Sequence, residues 1–538
     1  MRRGKKNEFF LRGTSLGGWL VLEPWLTPSL FYQFLGLTEV YGKDARNHIA
    51  IDSKTFCSAL GPEAANRQLR QHWRTWVDEE QIRNLAKINV EVLRIPLGDW
   101  MFIPYEPYIG CMDGAIDELD RILRLCEKYG LRALLDIHAV RMSQNGLDNS
   151  GDTGTFEWEG VSSLNINGVE GPGVSKYRHW DIRGGNWAGL YNTSSQAYAT
   201  INNTNIEMTL KVVEKVVELY KDSSVVVGIT PVNEPWWAIP LDVLKDYYWK
   251  SYQVVQEHAP HWITLMHDSF RLAPENWGGE WMKGCDNWAI DTHIYQAWAD
   301  VAPPEYFIDT ACSTYDSQKL GMMEDLGVPI VVGEWSLATD NCAMWLNGLN
   351  DNVPGFPKAK CEFVQCPEPY MGSQQPNAPP PVNFNTMDPV GTGGPSFVVN
   401  GTCPRDRSFP GNNIEAVRDI SYAKLNVFED YTHGHFFWNF RTEFEPRWDY
   451  QAGTALGWIP TDWSSKGTEM TKIHSACQGH ANLPSLQQRM FAPLIHISLL
   501  VPLIILLTSV MLISVWRKKA RNTYFQYESI VDEGRTKD

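Results

Sequence analysis

The sequence has no CxxC pair, and none of its 10 cysteines clusters with histidine at the spacing of a zinc site. Nor has it a surplus of basic residues: 47 Lys and Arg stand against 63 Asp and Glu, giving a formal net charge of −16. A chain of that sign repels phosphate backbones, which argues against nucleic acid as a partner. An apolar leader is missing too, because Asn7, Glu8 and Arg12 interrupt the run that should follow the basic start Met1 to Lys6.

Aromatic residues, by contrast, are abundant. The 23 Trp, 21 Tyr and 21 Phe exceed what packing usually calls for, and flat rings with a polar edge suit the C–H faces of pyranose sugars. Cysteines without metal spacing, together with sequons at Asn192, Asn202 and Asn400, predict an oxidising, secretory environment with disulfides and glycans. That reading implies a leader ahead of Met1. Near the other end, Pro493 to Trp516 contains no Asp, Glu, Lys or Arg and is followed by Arg517, Lys518, Lys519 and Arg521. A helix of that length, at about 1.5 Å per residue, crosses the ~30 Å hydrocarbon core, and the basic cluster marks its cytosolic end. The expected arrangement is a single-pass plasma-membrane protein with an extracellular domain over residues 8–480. A stalk over 481–492, a transmembrane helix over 493–516 and a cytosolic tail over 517–538 complete it.

Within the first 480 residues, short apolar or β-branched runs alternate with stretches of helical spacing. Eight such runs stand out: Leu11 to Val21, Glu91 to Ile95, Ala133 to Ile137, Val225 to Pro231, Trp262 to Met266, Ala289 to Ile294, Ile330 to Val332, and His435 to Trp438. Amphipathic stretches such as Asp117 to Lys128 and Ile206 to Tyr220 lie between them, so the pattern predicts an α/β fold, a (β/α)8 TIM barrel. Polar groups or an aromatic end each run: Glu23, Arg94, His138, Glu234, Asp268, His293, Glu334 and Trp438. Two stretches break the rhythm, residues 150–187 and 350–413, and read as long loop insertions over the active face.

Two carboxylates carry the chemistry. Glu234 in Thr230-Pro231-Val232-Asn233-Glu234-Pro235 and Glu334 in Gly333-Glu334-Trp335-Ser336 each follow an apolar strand immediately. Ends of the fourth and seventh strands of an eight-stranded barrel face one another across its mouth, which can bring two carboxyl groups to the ~5 Å that double displacement needs.

In these residues the chain resembles glycoside hydrolase family 5, and within it the exo-β-1,3-glucanases, over about residues 10–480. The resemblance rests on Leu16-Gly17-Gly18-Trp19 through Glu23-Pro24, Arg94-Ile95-Pro96, Gln144-Asn145-Gly146 with Asp148-Asn149-Ser150-Gly151, and Asn233-Glu234-Pro235. His293-Ile294-Tyr295-Gln296, Gly333-Glu334-Trp335-Ser336, and Phe437-Trp438 with Thr442-Glu443 complete it. It implies that Glu234 is the acid/base and Glu334 the nucleophile, with no cofactor and no metal. Burial beside a second carboxylate should then raise the pKa of Glu234, while Arg94 and Tyr295 favour the ionised form of Glu334. Asn233 is suited to the sugar 2-OH. His138 and His293 resemble pocket histidines, Trp438 the floor under the glycone ring, and Glu23, Asp148 and Asn149 the residues that hold the non-reducing-end glucose.

The pattern departs from the family in two places. Ala139-Val140-Arg141-Met142 stands where Gly-Ala-Pro-Gly is usual, and Leu147 replaces an aromatic of the entrance clamp, whose other member is Trp298. Cys312 with Cys342, and Cys285 with Cys477, resemble family disulfide positions. Cys361, Cys366 and Cys403 lie in the second insertion with their pairing open. The expected activity is release of glucose from non-reducing ends of β-1,3-glucans by a monomeric retaining enzyme. Transglucosylation and a non-catalytic glucan receptor are the alternatives.

Overall fold

In a computed structural model, the described residues are 9–34, 48–153, 185–298, 302–339 and 414–480 apart from 314, 444, 465 and 466. Short pieces of 159–176, together with 343 and 346, are also described. The chain divides into residues 1–481 and 482–538, and the second unit is outside the described set. No helix among the described residues is long and apolar enough to cross a membrane. The predicted span 493–516, its stalk and tail, the 350–413 insertion, Asn400 and Cys342 all lie outside the described residues.

Eight parallel strands close into a barrel in sequence order. They are β1 (Leu11–Ser15), β2 (Val92–Gly98), β3 (Arg132–Ala139), β4 (Val226–Thr230), β5 (Ile263–His267), β6 (Trp288–Ile294), β7 (Ile330–Trp335) and β8 (Gly434–Phe437). Each falls on one of the eight apolar runs. The runs are nearly continuous rather than alternating because a barrel strand is buried on both faces, against helices outside and against other strands inside.

The helices form where the apolar spacing and the caps allow. In Ala115–Tyr129 the buried Leu119, Ile122, Leu123 and Cys126 make one stripe, and Gly130, at φ 73°, ends it by donating its N–H to the Cys126 and Glu127 carbonyls. Asn203–Tyr220 is started by Asn202, whose side chain accepts from Asn205 N–H, and buries Val212, Val213, Val216 and Val217. Between β5 and β6 the outer layer thins to the single turn Pro274–Trp277.

The barrel interior is layered by the two-residue period of its strands. Leu11, Val92, Leu134, Ile263, Leu265, Ala289, Val331 and Phe436 form a cluster separate from the main core and drawn entirely from barrel strands. Two residues further along these strands, on the same face, stand Arg94, Asp136, His267, Asp291, Gly333 and Trp438. An apolar plug thus supports a polar layer at the carboxyl ends of the strands, the end where such barrels place their chemistry.

The disulfides differ from expectation. Cys312 joins Cys477, and Cys57 joins Cys111. Cys312 ends helix Pro304–Ser313 and Cys477 follows helix Thr468–Ser475, and both helices pack on Ile414–Tyr431, which brings their Cα atoms to 5.5 Å. Cys285, predicted to pair with Cys477, is a free thiol in the turn before β6, beside Tyr252. Of the described sequons, Asn192 is exposed on a hairpin and Asn202 is the half-buried helix cap.

The seam between first and last strand is stitched by charge. Arg12 on β1 sits 2.8 Å from Glu429 on helix Ile414–Tyr431 and 2.9 Å from Glu91, with Trp463 under its guanidinium. Burial raises the Glu429 pKa, but His435 and Arg12 outweigh it and hold the carboxyl at about 2. A carboxylate depressed in this way stabilises the fold above its unfolded pKa and loses that contribution as pH falls towards its folded one. Glu429→Gln should cost about 3 kcal/mol near neutral pH, the order expected for breaking a buried pair. In urea titrations the gap to wild type should narrow as pH drops from 4.5 towards 2. A gap that is constant with pH would mean the pair contributes nothing electrostatic.

Candidate active site

At the barrel mouth a cavity of about 360 Å³ is lined by Glu23, Asp148, Asn149, Glu234, Tyr295, Trp298, Glu334 and Trp438 among others. Eight of the twelve catalytic and substrate-binding candidates read from sequence therefore meet in one place. The other four, Arg94, His138, Asn233 and His293, lie directly behind them as supports.

Glu334 reaches this position through a local irregularity. The pairing of β7 shifts by one residue at Gly333, so that His293 opposes Glu334 where Thr292 opposed Val332. Such a bulge re-aims the following side chain. Gly333 has no alternative, because a Cβ there would meet a carboxylate oxygen of Asp291 at 2.0 Å. Gly17 is needed for the same kind of reason, since its missing Cβ leaves room for the Trp438 ring. Glu234 sits four residues past β4 with φ of 42°, a left-handed conformation that a residue with a Cβ adopts only when its surroundings enforce it. Here Asn233 N–H donates to Ile137 O at 2.9 Å and pins the turn.

Both oxygens of Glu334 are taken. Arg94 Nη1 donates to Oε1 at 2.8 Å and the Tyr295 hydroxyl donates to Oε2 at 2.6 Å. Arg94 also donates to Asn233 Oδ1 at 2.7 Å and lies 3.1 Å from Asp136. Asp136 in turn is 2.6 Å from His138 Nδ1, and the His138 ring stacks on Trp438 with centroids 5.3 Å apart. Glu234 accepts from Asn149 Nδ2 at 2.8 Å and lies 2.7 Å from His293 Nδ1. Asn149, expected on the sugar, lines the cavity and also holds the side chain of Glu234.

One nitrogen measures the gap between the carboxylates. His293 Nδ1 is 2.7 Å from Glu234 Oε1 and 3.4 Å from Glu334 Oε2, so those two oxygens are at most about 6 Å apart. This bound overlaps the ~5 Å of retaining glycosidases and falls below the ~6.5 Å at which inverting separations begin.

The protonation balance runs opposite to the expectation from sequence. Burial raises Glu234, but the hydrogen bond and charge of His293 and the Asn149 amide outweigh it, and its pKa is lowered. Burial also raises Glu334, and there it prevails over the charges of His293 and Arg94. Burial lowers His293, yet Glu334 and Asp291 lift it well above an ordinary imidazole. His293 Nδ1 and Glu234 Oε1 thus share a contact of 2.7 Å in which both shifts favour an imidazolium beside a carboxylate. Glu23 is pushed well up by burial and by the carboxylates of Asp148, Glu334 and Glu234, against the indole N–H of Trp25.

Several participants were not legible from sequence. Asp136 and Asp291 looked like strand interior, and Trp25, Trp236, Trp237, Phe270 and Trp448 also line the cavity. Asp268, a strand-end candidate, instead shapes its own loop by accepting from Phe270 N–H and the Thr292 hydroxyl. Among the described residues, Glu234, His267 and His293 bring donor atoms within 4.8 Å of one another, close enough for a metal ion. A protonated imidazole has no lone pair to offer, however, so the raised pKa of His293 favours a proton there.

Residues 57–353 match the family described as Cellulase (glycosyl hydrolase family 5). A glucan 1,3-beta-glucosidase of Blumeria graminis is 30% identical over 87% of this chain and 89% of its own length. A probable glucan 1,3-beta-glucosidase A of Emericella nidulans is 28% identical over 84% and 90%. Among solved structures, a rutinosidase from Aspergillus niger superposes over 84% of this chain and 98% of its own, with TM-score 0.51 and 16% identity, a likeness of fold.

The electrostatics can be read directly. In ¹⁵N-histidine NMR spectra, one imidazole should stay protonated well above pH 6.5, and Glu334→Gln, which removes the largest charge raising it, should bring that titration down. If no histidine titrates late, the proton does not reside on His293.

Proposed function

Because the chain belongs to glycoside hydrolase family 5, we propose that it releases glucose from the non-reducing ends of β-1,3-glucans with retention of configuration. The observation that carries this reading is the pair Glu234 and Glu334, held within about 6 Å by a shared histidine nitrogen, a spacing suited to double displacement. Relatives named glucan 1,3-beta-glucosidase, aligned over nearly their full length, support the linkage.

The chemistry follows from the contacts. Arg94 and Tyr295 fix the Glu334 carboxylate so that one oxygen can attack the anomeric carbon. As the glycosidic C–O bond breaks, the leaving oxygen takes a proton through Glu234, replenished from His293. A glycosyl ester on Glu334 results. Water then attacks the same carbon, gives a proton back to Glu234 and frees Glu334, so that two inversions return the β configuration. Asn233, oriented by Arg94, is placed for the sugar 2-OH. Glu23 and Asp148 supply acceptors for remote hydroxyls at the closed end, the reading that favours exo action. The enzyme acts as a monomer, in cell-wall or glucan metabolism.

Its place is the plasma membrane. Residues 493–516 would anchor it, with the barrel outside, as the uncharged run and its basic flank argue. The full chain should then pellet with membranes and resist alkaline carbonate, whereas a truncation after residue 480 should be soluble; a carbonate-extractable full chain rejects the anchor.

Laminarin-type oligosaccharides should yield β-glucose first by ¹H NMR. Glu234→Ala should lose about 10²- to 10⁴-fold in turnover, and Glu334→Ala should lose it altogether. Initial α-glucose would exclude double displacement, and oligosaccharide products without glucose would exclude exo action.

A further inference from the structure

Two sets of aromatic rings surround the catalytic pair, and the mechanism uses only one. The first is reached from Glu334: Tyr295 lies 5.1 Å from Trp448, and Trp448 5.0 Å from Trp25, whose indole holds Glu23. On the glycosidase reading this set, which lines the cavity beside Glu23, faces the terminal sugar. The second belongs to the loop that carries Glu234, where Trp236 and Trp237 follow with ring centroids 6.1 Å apart. Since Glu234 delivers the proton to the departing oxygen, rings that continue its loop stand on the leaving-group side.

The two tryptophans of this loop are treated differently. Trp236 is buried, with Tyr191 of the 191–198 hairpin edge-on at 6.5 Å and Ser269 Oγ donating to its carbonyl at 3.0 Å. Those contacts fasten the loop to its neighbours without help from Trp237. Trp237 nevertheless lines the cavity with 39% of its surface open. Phe270, also on the rim, is 45% open, and it is held at φ 56° although a ring-bearing residue strongly disfavours that region. Leu147 lines the same cavity but has no face on which a pyranose can stack. A large ring left open beside a cavity, on a loop whose packing is complete without it, is placed for a ligand rather than for the core.

We infer that Trp237 is a stacking platform for the leaving-group part of a β-glucan chain, for the glucose units that follow the first one beyond the bond that is cut. It substitutes for the aromatic surface that position 147 does not provide, and it makes the enzyme prefer chains of three or more sugars to disaccharides. This rests on the glycosidase reading of the same site.

The test is kcat/KM for β-1,3-linked glucose di- to pentasaccharides with the wild-type chain, Trp237→Ala and Trp237→Phe. Wild type should gain with length, and Trp237→Ala should lose about three- to tenfold of that gain, mainly through KM on the longer substrates. Trp237→Phe should restore part of it. An alanine variant that keeps the length dependence, one that loses activity equally at every length, or a wild type with no length dependence overturns the platform and leaves the glycosidase reading intact. A wild type that cleaves none of the series overturns that reading and the platform with it.

Discussion

The buried guanidinium of Arg94 is the constraint on which the site depends. It is 0% exposed, a position that would be prohibitive for a lone cation, and its cost is met by Glu334, Asp136 and the Asn233 amide oxygen at hydrogen-bond or ion-pair distance. Each partner does something else as well. Glu334 is the candidate nucleophile, Asp136 holds His138 against Trp438, and Asn233 immediately precedes Glu234. Removing the cation would leave Asp136 with His138, and Glu334 with Tyr295 and His293, and would take away the group that bridges the two carboxylates and Asn233. A buried pair of this kind contributes little net stability but allows one arrangement only, and for a reaction that needs two carboxylates at a fixed gap, one arrangement is what matters.

That constraint also sets which carboxylate His293 engages. With Arg94 and Tyr295 occupying both oxygens of Glu334, the remaining donor, His293, leans towards Glu234 at 2.7 Å while staying 3.4 Å from Glu334. His267, which packs edge-on to His293 at 4.4 Å, does not compete, because burial and neighbouring cations keep its pKa low and its Nδ1 accepts from Ser269 N–H. The groups around Glu234 thus favour a carboxylate beside a charged imidazole rather than a raised carboxyl.

The sequence was most informative where one physical rule acts alone. Strands buried on both faces must be apolar, so all eight were visible, and most of the residues that end the runs led to the mouth, Asp268 being the exception. The polar layer beneath was hidden, because Asp136 and Asp291 are single acids inside apolar runs and only the inward register, two residues beyond Leu134 and Ala289, gives them meaning. Cysteine pairing was hidden for a different reason: Cys312 and Cys477 are separated by 165 residues and meet only because two helices share a third. The direction of the pKa shifts was misjudged because reasoning from two carboxylates omits the histidine between them.

The barrel thus separates two kinds of precision. Glu334 and its supports Arg94, Asp136, Asp291 and His293 stand on strands, where register fixes them. Glu23, Asn149, Glu234 and Trp237 stand on loops, and each loop needs its own fastening. The loop after β3 is held by Asp99, buried and pushed up to about 7, which accepts from the Arg141 N–H and the Tyr105 hydroxyl. Its far end delivers Asn149 to Glu234. The Arg141 N–H that makes this anchor is a donor that proline at the same position would lack. Substitutions on such loops can reshape the wall of the cavity while the strand-borne charges beneath it stay in register, so the two can vary independently.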